Sequence, residues 1–452
     1  MRVCRSVAYA SAAIAGLWLS WHISIRAAEP TALFNPAPQH VSNRLYRQLH
    51  VRTGPGGKEY GFNALDPLLW NETNYLLAGK SYARAIALLN EFLRAHAERE
   101  ITDPLRGAIL QRDLWAIFDW AVQPEGRELS YQAERHDLMA RLAPTVRRLA
   151  LSPAVLAQLP DTYARAIQNH EFSTAYNPTS PNQAFLPPDL FDPCGPWVCL
   201  SPAGHDLAAP LHDLSFTARS VFLVFARLPG GRDATLAYFN QLAELKIPLF
   251  VTMQEPGWPQ PMSVWNPQVP QFPIGTEFAL VRKMVLPDRD GNLHLTPVTE
   301  SVQIRHYTDI PNADPMASRD TRLAQRFQEP SEIKLSGLLL FSDRHSGLRG
   351  VTASDDSLLV FPAMTYDFDM IEDKRMRLPE SPFQQCKSCH LGPGIQSMMS
   401  FSFRGNPNKG PVLSPRLAET TPREESEKIL QWAQTQEKWK DLLRLWASEN
   451  PN

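Results

Sequence analysis

The chain of 452 residues carries 45 Lys and Arg against 47 Asp and Glu, so a net charge of −2 offers no basic field to draw nucleic acid or anionic lipid. A hydrophobic share of 43% excludes a disordered chain and predicts a sizeable core, with two or three domains' worth of sequence to build it. The 40 prolines, nearly twice the usual share, predict long irregular connections.

Residues 1–27 have the three-part build of a secretory signal: arginines in MRVCRS, the apolar run VAYASAAIAGLWLSW, and a small-residue exit at SIRAA. Cleavage after Ala27 predicts a periplasmic or otherwise exported chain. An uncleaved signal would leave Val7 to Ile25 as an N-terminal membrane anchor, interrupted by His22. No later stretch is long and apolar enough to span a bilayer. Removing the signal removes Cys4 and leaves two close pairs, Cys194/Cys199 and Cys386/Cys389.

Residues 28–170 form a helical region. SYARAIALLNEFLRAHAERE repeats Ala85, Leu88, Leu89, Phe92 and Leu93 at helical spacing, and DPLRGAILQRDLWAIFDWAV opens on an Asp103 cap with Pro104 in the first turn. SYQAERHDLMARLAPTVRRLA and LPDTYARAIQNH predict two further helices, with Trp115 and Trp120 in the core. Residues 171–214, dense in proline, asparagine and serine, read as a long irregular connection.

Residues 215–375 read as mixed α/β. SVFLVFARL is a buried strand, GRDATLAYFNQLAEL a helix and IPLFVTM a strand, and TEFALVRKMVL and ESVQIRHY flank a hairpin turn at Asp290-Gly291. LPGGRDA lacks the Lys-Ser/Thr ending of a phosphate loop and reads as a tight turn. Asp288, Asp290 and Asn292 alternate as in a calcium loop, but Thr299 holds the place of the required acidic residue. Residues 376–452 end in a helix opened by a capping box of Thr421 and Glu424, with Ile429, Trp432, Trp439, Leu442 and Trp446 near one stripe. The fold class expected is α+β, with a helical N-terminal region, a mixed central region and a mainly helical C-terminal segment.

The chemistry concentrates in Cys386-Lys387-Ser388-Cys389-His390. With 5 Cys and 12 His in the chain, composition gives only about 0.0015 expected matches to Cys-x-x-Cys-His. Two thiols separated by two residues reach the two vinyl groups of a haem, and the next residue projects an imidazole at the iron. The pentad resembles the haem-attachment motif of the c-type cytochromes. The resemblance covers these five residues; it implies one covalent haem c on Cys386 and Cys389, with His390 as proximal iron ligand, attached outside the bacterial cytoplasmic membrane.

The sixth iron position is open at this stage. Met398 and Met399 follow the glycines of GPGIQSMM, and the eight residues from His390 span roughly 27 Å when extended, enough to round a haem edge. His306 and His345 are alternative ligands from the body. Without haem, the pair would form a disulfide, or Cys194, Cys199, Cys386 and Cys389 would hold zinc. With haem, Cys194 and Cys199 are expected to form a structural disulfide in the oxidising compartment. The function expected is electron transfer with a redox partner protein. A haem-dependent oxidoreductase or peroxidase-like enzyme with open iron is the alternative, and Arg344, His345 and Arg349 supply the residue types for it.

Overall fold

The computed structural model describes residues 32–53, 59–60, 77, 80–122, 131–181, 183–204, 206–216, 218–254, 257, 262–310, 327–342, 345–352, 355, 390, 394–399 and 416–446. The signal segment, Cys386 and Cys389 lie outside them. Residues Thr31–Asn452 cluster as one compact unit, and the class is α+β, as expected.

The described helices are α1 (Val41–His50), α2 (Lys80–Ala95), α3 (Pro104–Ala121), α4 (Gln132–Leu149), α5 (Pro153–Leu156), α6 (Thr162–Gln168), α7 (Pro210–Phe216), α8 (Gly231–Glu244), α9 (Gly337–Leu340), α10 (Ile395–Met399), α11 (Pro422–Gln434) and α12 (Glu437–Trp446). The strands are β1 (Arg52–Thr53), β2 (Glu59–Tyr60), β3 (Val198–Pro202), β4 (Ser220–Arg227), β5 (Phe250–Met253), β6 (Met262–Trp265), β7 (Glu277–Pro287), β8 (Leu293–Tyr307), β9 (Gln328–Leu335), β10 (Leu348–Gly350) and β11 (Leu417–Glu419). A seven-stranded antiparallel sheet in the order β10-β9-β8-β7-β4-β3-β11 organises them; β1-β2 and β5-β6 are separate ribbons.

Strand alternation divides the interior in two, because successive side chains leave a strand on opposite faces. On one face Val221, Leu223 and Phe225 of β4, Ala279 and Val281 of β7, and Val302 and Ile304 of β8 join the main core with α1 to α4, α11 and α12. Trp115 of α3 meets Trp439 of α12 there, ring centroids 5.6 Å apart, so both tryptophans are core. On the other face Val198, Leu200, Ala226, Phe278 and Tyr307 pack with α8 and α10, while Phe222 packs with Ala209 and Phe216 around α7.

Local chemistry accounts for the elements that the sequence shows. Asp103 accepts the Leu105 amide at 2.9 Å and caps α3. In the β7–β8 hairpin Asp288 Oδ1 accepts the amides of Asp290 and Asn292, each at 2.9 Å, and Gly291 takes φ +81°. Those carboxylate bonds go to the backbone, which makes the segment a turn. The capping box forms at Thr421 and Glu424; Thr421→Ala is expected to cost about 1 kcal/mol, read as a drop in the urea midpoint. A midpoint unchanged within error would remove that role.

Three expectations are corrected here. The single C-terminal helix is two: Gln436 N–H donates to Ala433 O instead of Trp432 O, and the Thr435 hydroxyl and Gln436 amide cap the Trp432 carbonyl. Residues 171–214 are not wholly irregular, since they hold β3 and the start of α7. Strand β3 also explains the state of the first cysteine pair. Cys199 faces the main core, 4% exposed, while Cys194 lies exposed in the preceding turn. Both are free thiols in this structure, not the expected disulfide, and burial pushes the Cys199 thiol up to about 12. Among the described residues no helix is long and apolar enough to cross a membrane.

Candidate cofactor site

His390 is held against the second sheet face by the end of β8 and the start of β9. Arg305 and Tyr307 alternate onto this face and His306 onto the other. Gln328 Nε2 donates to the His390 carbonyl at 2.9 Å, and Arg305 Nη1 donates to Gln328 Oε1 at 2.8 Å. The Tyr307 hydroxyl is 2.5 Å from Ser397 Oγ, which donates to the Gly394 carbonyl at 2.9 Å. Gly394 turns the chain into α10 with φ +52°, and a Cβ there would run into the Gln271 side chain, whose Oε1 accepts the Ile395 amide at 2.9 Å.

One bond fixes the chemistry of the ring. His390 Nδ1 lies 2.9 Å from the Ser397 carbonyl oxygen. A carbonyl only accepts, so Nδ1 carries the hydrogen and Nε2 keeps a lone pair for a metal. Burial, Arg305 and His212 together hold the imidazole well below its usual range, against the Ser397 bond, so it is neutral at pH 7.

The ring set beside His390 is that of His212, in PLHDLSF of α7. Asp213 and Phe216 of this short helix turn inward, while Leu211 and Leu214 are exposed. His212 lies between the two sides, half-buried, 5.3 Å from the Phe222 ring and 6.3 Å from the His390 ring, with 22° between the two imidazole planes. Though each imidazole keeps some exposed surface, the chain packed around His212 dominates: burial, then Arg305 and Arg282, lowers it to about 4. Asp213 is fully buried, and burial and Glu425 push its carboxyl well above the usual range. The site therefore holds two neutral imidazoles, His212 lying beside Phe222 of the apolar cluster that also includes Phe216, Val224 and Leu280, with two guanidinium groups near His212. Arg282 pairs with Glu300 at 3.3 Å. Arg305 bonds a neutral amide, and among the described residues no carboxylate pairs with it.

The other expected ligands lie elsewhere. His306, on the opposite face, meets Glu277 Oε1 at 2.9 Å and stacks on Tyr176 at 3.9 Å. His345 is exposed beside Glu171. Arg349 pairs with Asp355 at 3.1 Å, and Arg344 lies outside the described residues. Met399 is buried with Trp265, Phe272 and Ile395, and Met398 packs against the same cluster. Cys199 faces the main core, on the sheet face opposite His390, and the other two cysteines of the zinc alternative, Cys386 and Cys389, lie outside the described residues. Sequence reasoning passed over His212. The available signal was a histidine among apolar residues in a seven-residue helix too short to show a period. No protein-family model, curated protein or solved structure matches the chain.

Proposed function

We propose that the chain is an exported monohaem c-type protein that transfers electrons to or from a redox partner protein. Haem is bound through Cys386 and Cys389, with His390 as proximal iron ligand. The observation that carries this reading is the Nδ1–H to Ser397 carbonyl bond, which supplies the tautomer that axial ligation needs. Composition makes the pentad improbable by chance, and the surroundings of His390 suit a large, flat, mostly apolar group with carboxylates at one edge. Phe222, which clusters with Val224 and Leu280, offers apolar surface beside His212, and the Arg305 guanidinium would meet the charge requirement of the edge.

The attachment chemistry balances without an oxidant. Each thiol would add across one vinyl double bond, its sulfur bonding one vinyl carbon and its hydrogen going to the other. When bound, the haem supplies one-electron exchange between ferric and ferrous iron. The chain does the rest. Ser397 and Gln328 fix the His390 ring and backbone, the apolar cluster beside His212 keeps water away, and Arg282 and Arg305 favour the less positive, reduced site.

The test uses the full chain made in a host with cytochrome c maturation. The purified protein should stay red after acid–acetone extraction and weigh about one haem more than the polypeptide. Cys386→Ala with Cys389→Ala should remove both signals. A colourless wild type from that host overturns the proposal, and one equivalent of zinc by elemental analysis would replace haem with a metal site.

A further inference from the structure

We propose that His212 is the second axial ligand, so that one iron is held between His212 and His390 in a bis-histidine site. The assignment rests on the haem reading above and deepens it. Nothing in the sequence links these residues, yet the sheet brings their rings to a centroid separation of 6.3 Å.

Magnitudes separate the possible meanings of that distance. Face-to-face contact is much closer, as the Tyr176–His306 pair at 3.9 Å shows in the same molecule. A direct hydrogen bond between ring nitrogens about 2.9 Å apart, each nitrogen about 1.1 Å from its centroid, puts the centroids at most about 5.1 Å apart. A metal between them, with metal–nitrogen bonds of about 2.0–2.1 Å, gives about 6.3 Å. The observed separation matches the third case. Ligand number points the same way. Among the described residues no group of three or more metal-binding side chains gathers. Two imidazoles would complete an iron whose other four nitrogens come from a porphyrin.

The rivals are placed badly. His306 is on the far side of the sheet and engaged with Glu277, and Met399 is buried in a separate apolar cluster. The short α7 carries His212 on the strength of inward Asp213 and Phe216, so a rigid strand, β4, backs it through Phe222.

The test is spectroscopic and uses the holoprotein. Wild type should give a low-spin ferric spectrum without the weak far-red band of thioether–iron coordination, and replacing Met398 and Met399 together with alanine should leave it unchanged. His212→Ala should keep its covalent haem but turn high-spin and bind carbon monoxide at once when reduced; added imidazole should restore the low-spin spectrum. If His212→Ala does not fold, the wild-type and Met398/Met399 spectra still decide. A far-red band lost in the methionine variant overturns the assignment, as does a high-spin wild type or an unchanged His212→Ala, each while the haem reading stands. A wild type with no haem overturns both, and the mass measurement tells that case apart.

Discussion

Glu300→Ala is expected to destabilise the fold by about 3 kcal/mol, because it removes a buried carboxylate shared by two buried guanidinium groups, although Arg112 keeps Asp113 at 2.7 Å. Glu300 is fully buried. Its Oε1 accepts from Arg112 Nε of α3 at 2.6 Å, and its Oε2 accepts from the Ser220 hydroxyl at 2.6 Å and meets Arg282 Nε at 3.3 Å. The register shift between Arg282 and Lys283 lets one carboxylate serve both a helix on the main core and an arginine beside His212. Against a typical total of about 5–15 kcal/mol, such a loss should collapse the urea midpoint or prevent folding. A shift under about 1 kcal/mol would show that solvent reaches the arginines and that the carboxylate is not the tie described. Arg112→Ala combined with Glu300→Ala should cost less than the two single changes added together.

Arg219→Met is the second large effect, and it should depend on pH. Arg219 Nε meets Asp119 Oδ2 at 2.7 Å, and both side chains are 1% exposed. Burial already pushes Asp119 up to about 6, against the pull of Arg219 and Lys438. Removing the guanidinium raises the carboxyl further. A raised acid stabilises the fold fully below its unfolded value, about 3.9, and that contribution is lost as pH rises through the folded value. The variant should therefore lie near wild type at pH 4, begin to fall behind above pH 6, and be up to about 2.7 kcal/mol weaker at pH 8. Urea titrations at the three pH values read this directly. A deficit that stays constant from pH 4 to pH 8 would mean the loss comes from packing against Phe216, not from the stranded carboxylate.

What the sequence makes legible is what short-range chemistry decides. Asp103, Thr421 and the Asp288 turn declare themselves because each bonds backbone within a few residues. The long helices declare themselves by apolar period, and the pentad by its rarity. The C-terminal stripe continues across Thr435, so the break there is invisible to periodicity; it arises when side chains take the Trp432 carbonyl. The free state of Cys199 depends on strand β3, where Val198 and Leu200 face one side and Cys199 faces the main core. His212 depends on a sheet that assembles from segments far apart in sequence. Reading β8 as a strand carried one usable constraint: with Arg305 and Tyr307 on one face, His306 belongs to the other, which removes it as a ligand partner for anything bound to Tyr307's side.

The closeness of His212 and His390 has a topological consequence. About 180 residues of chain lie between them, including β4, β7, β8 and β9. A single metal bonded to both rings would act as a clasp on that whole length, the coordination counterpart of a long-range cross-link. In the chain-entropy picture, closing a loop of that size in the unfolded ensemble is worth about 5 kcal/mol, less whatever affinity the unfolded chain keeps for the metal. The central sheet and its cofactor would then melt together, and loss of the His212 bond would loosen strands that never touch it.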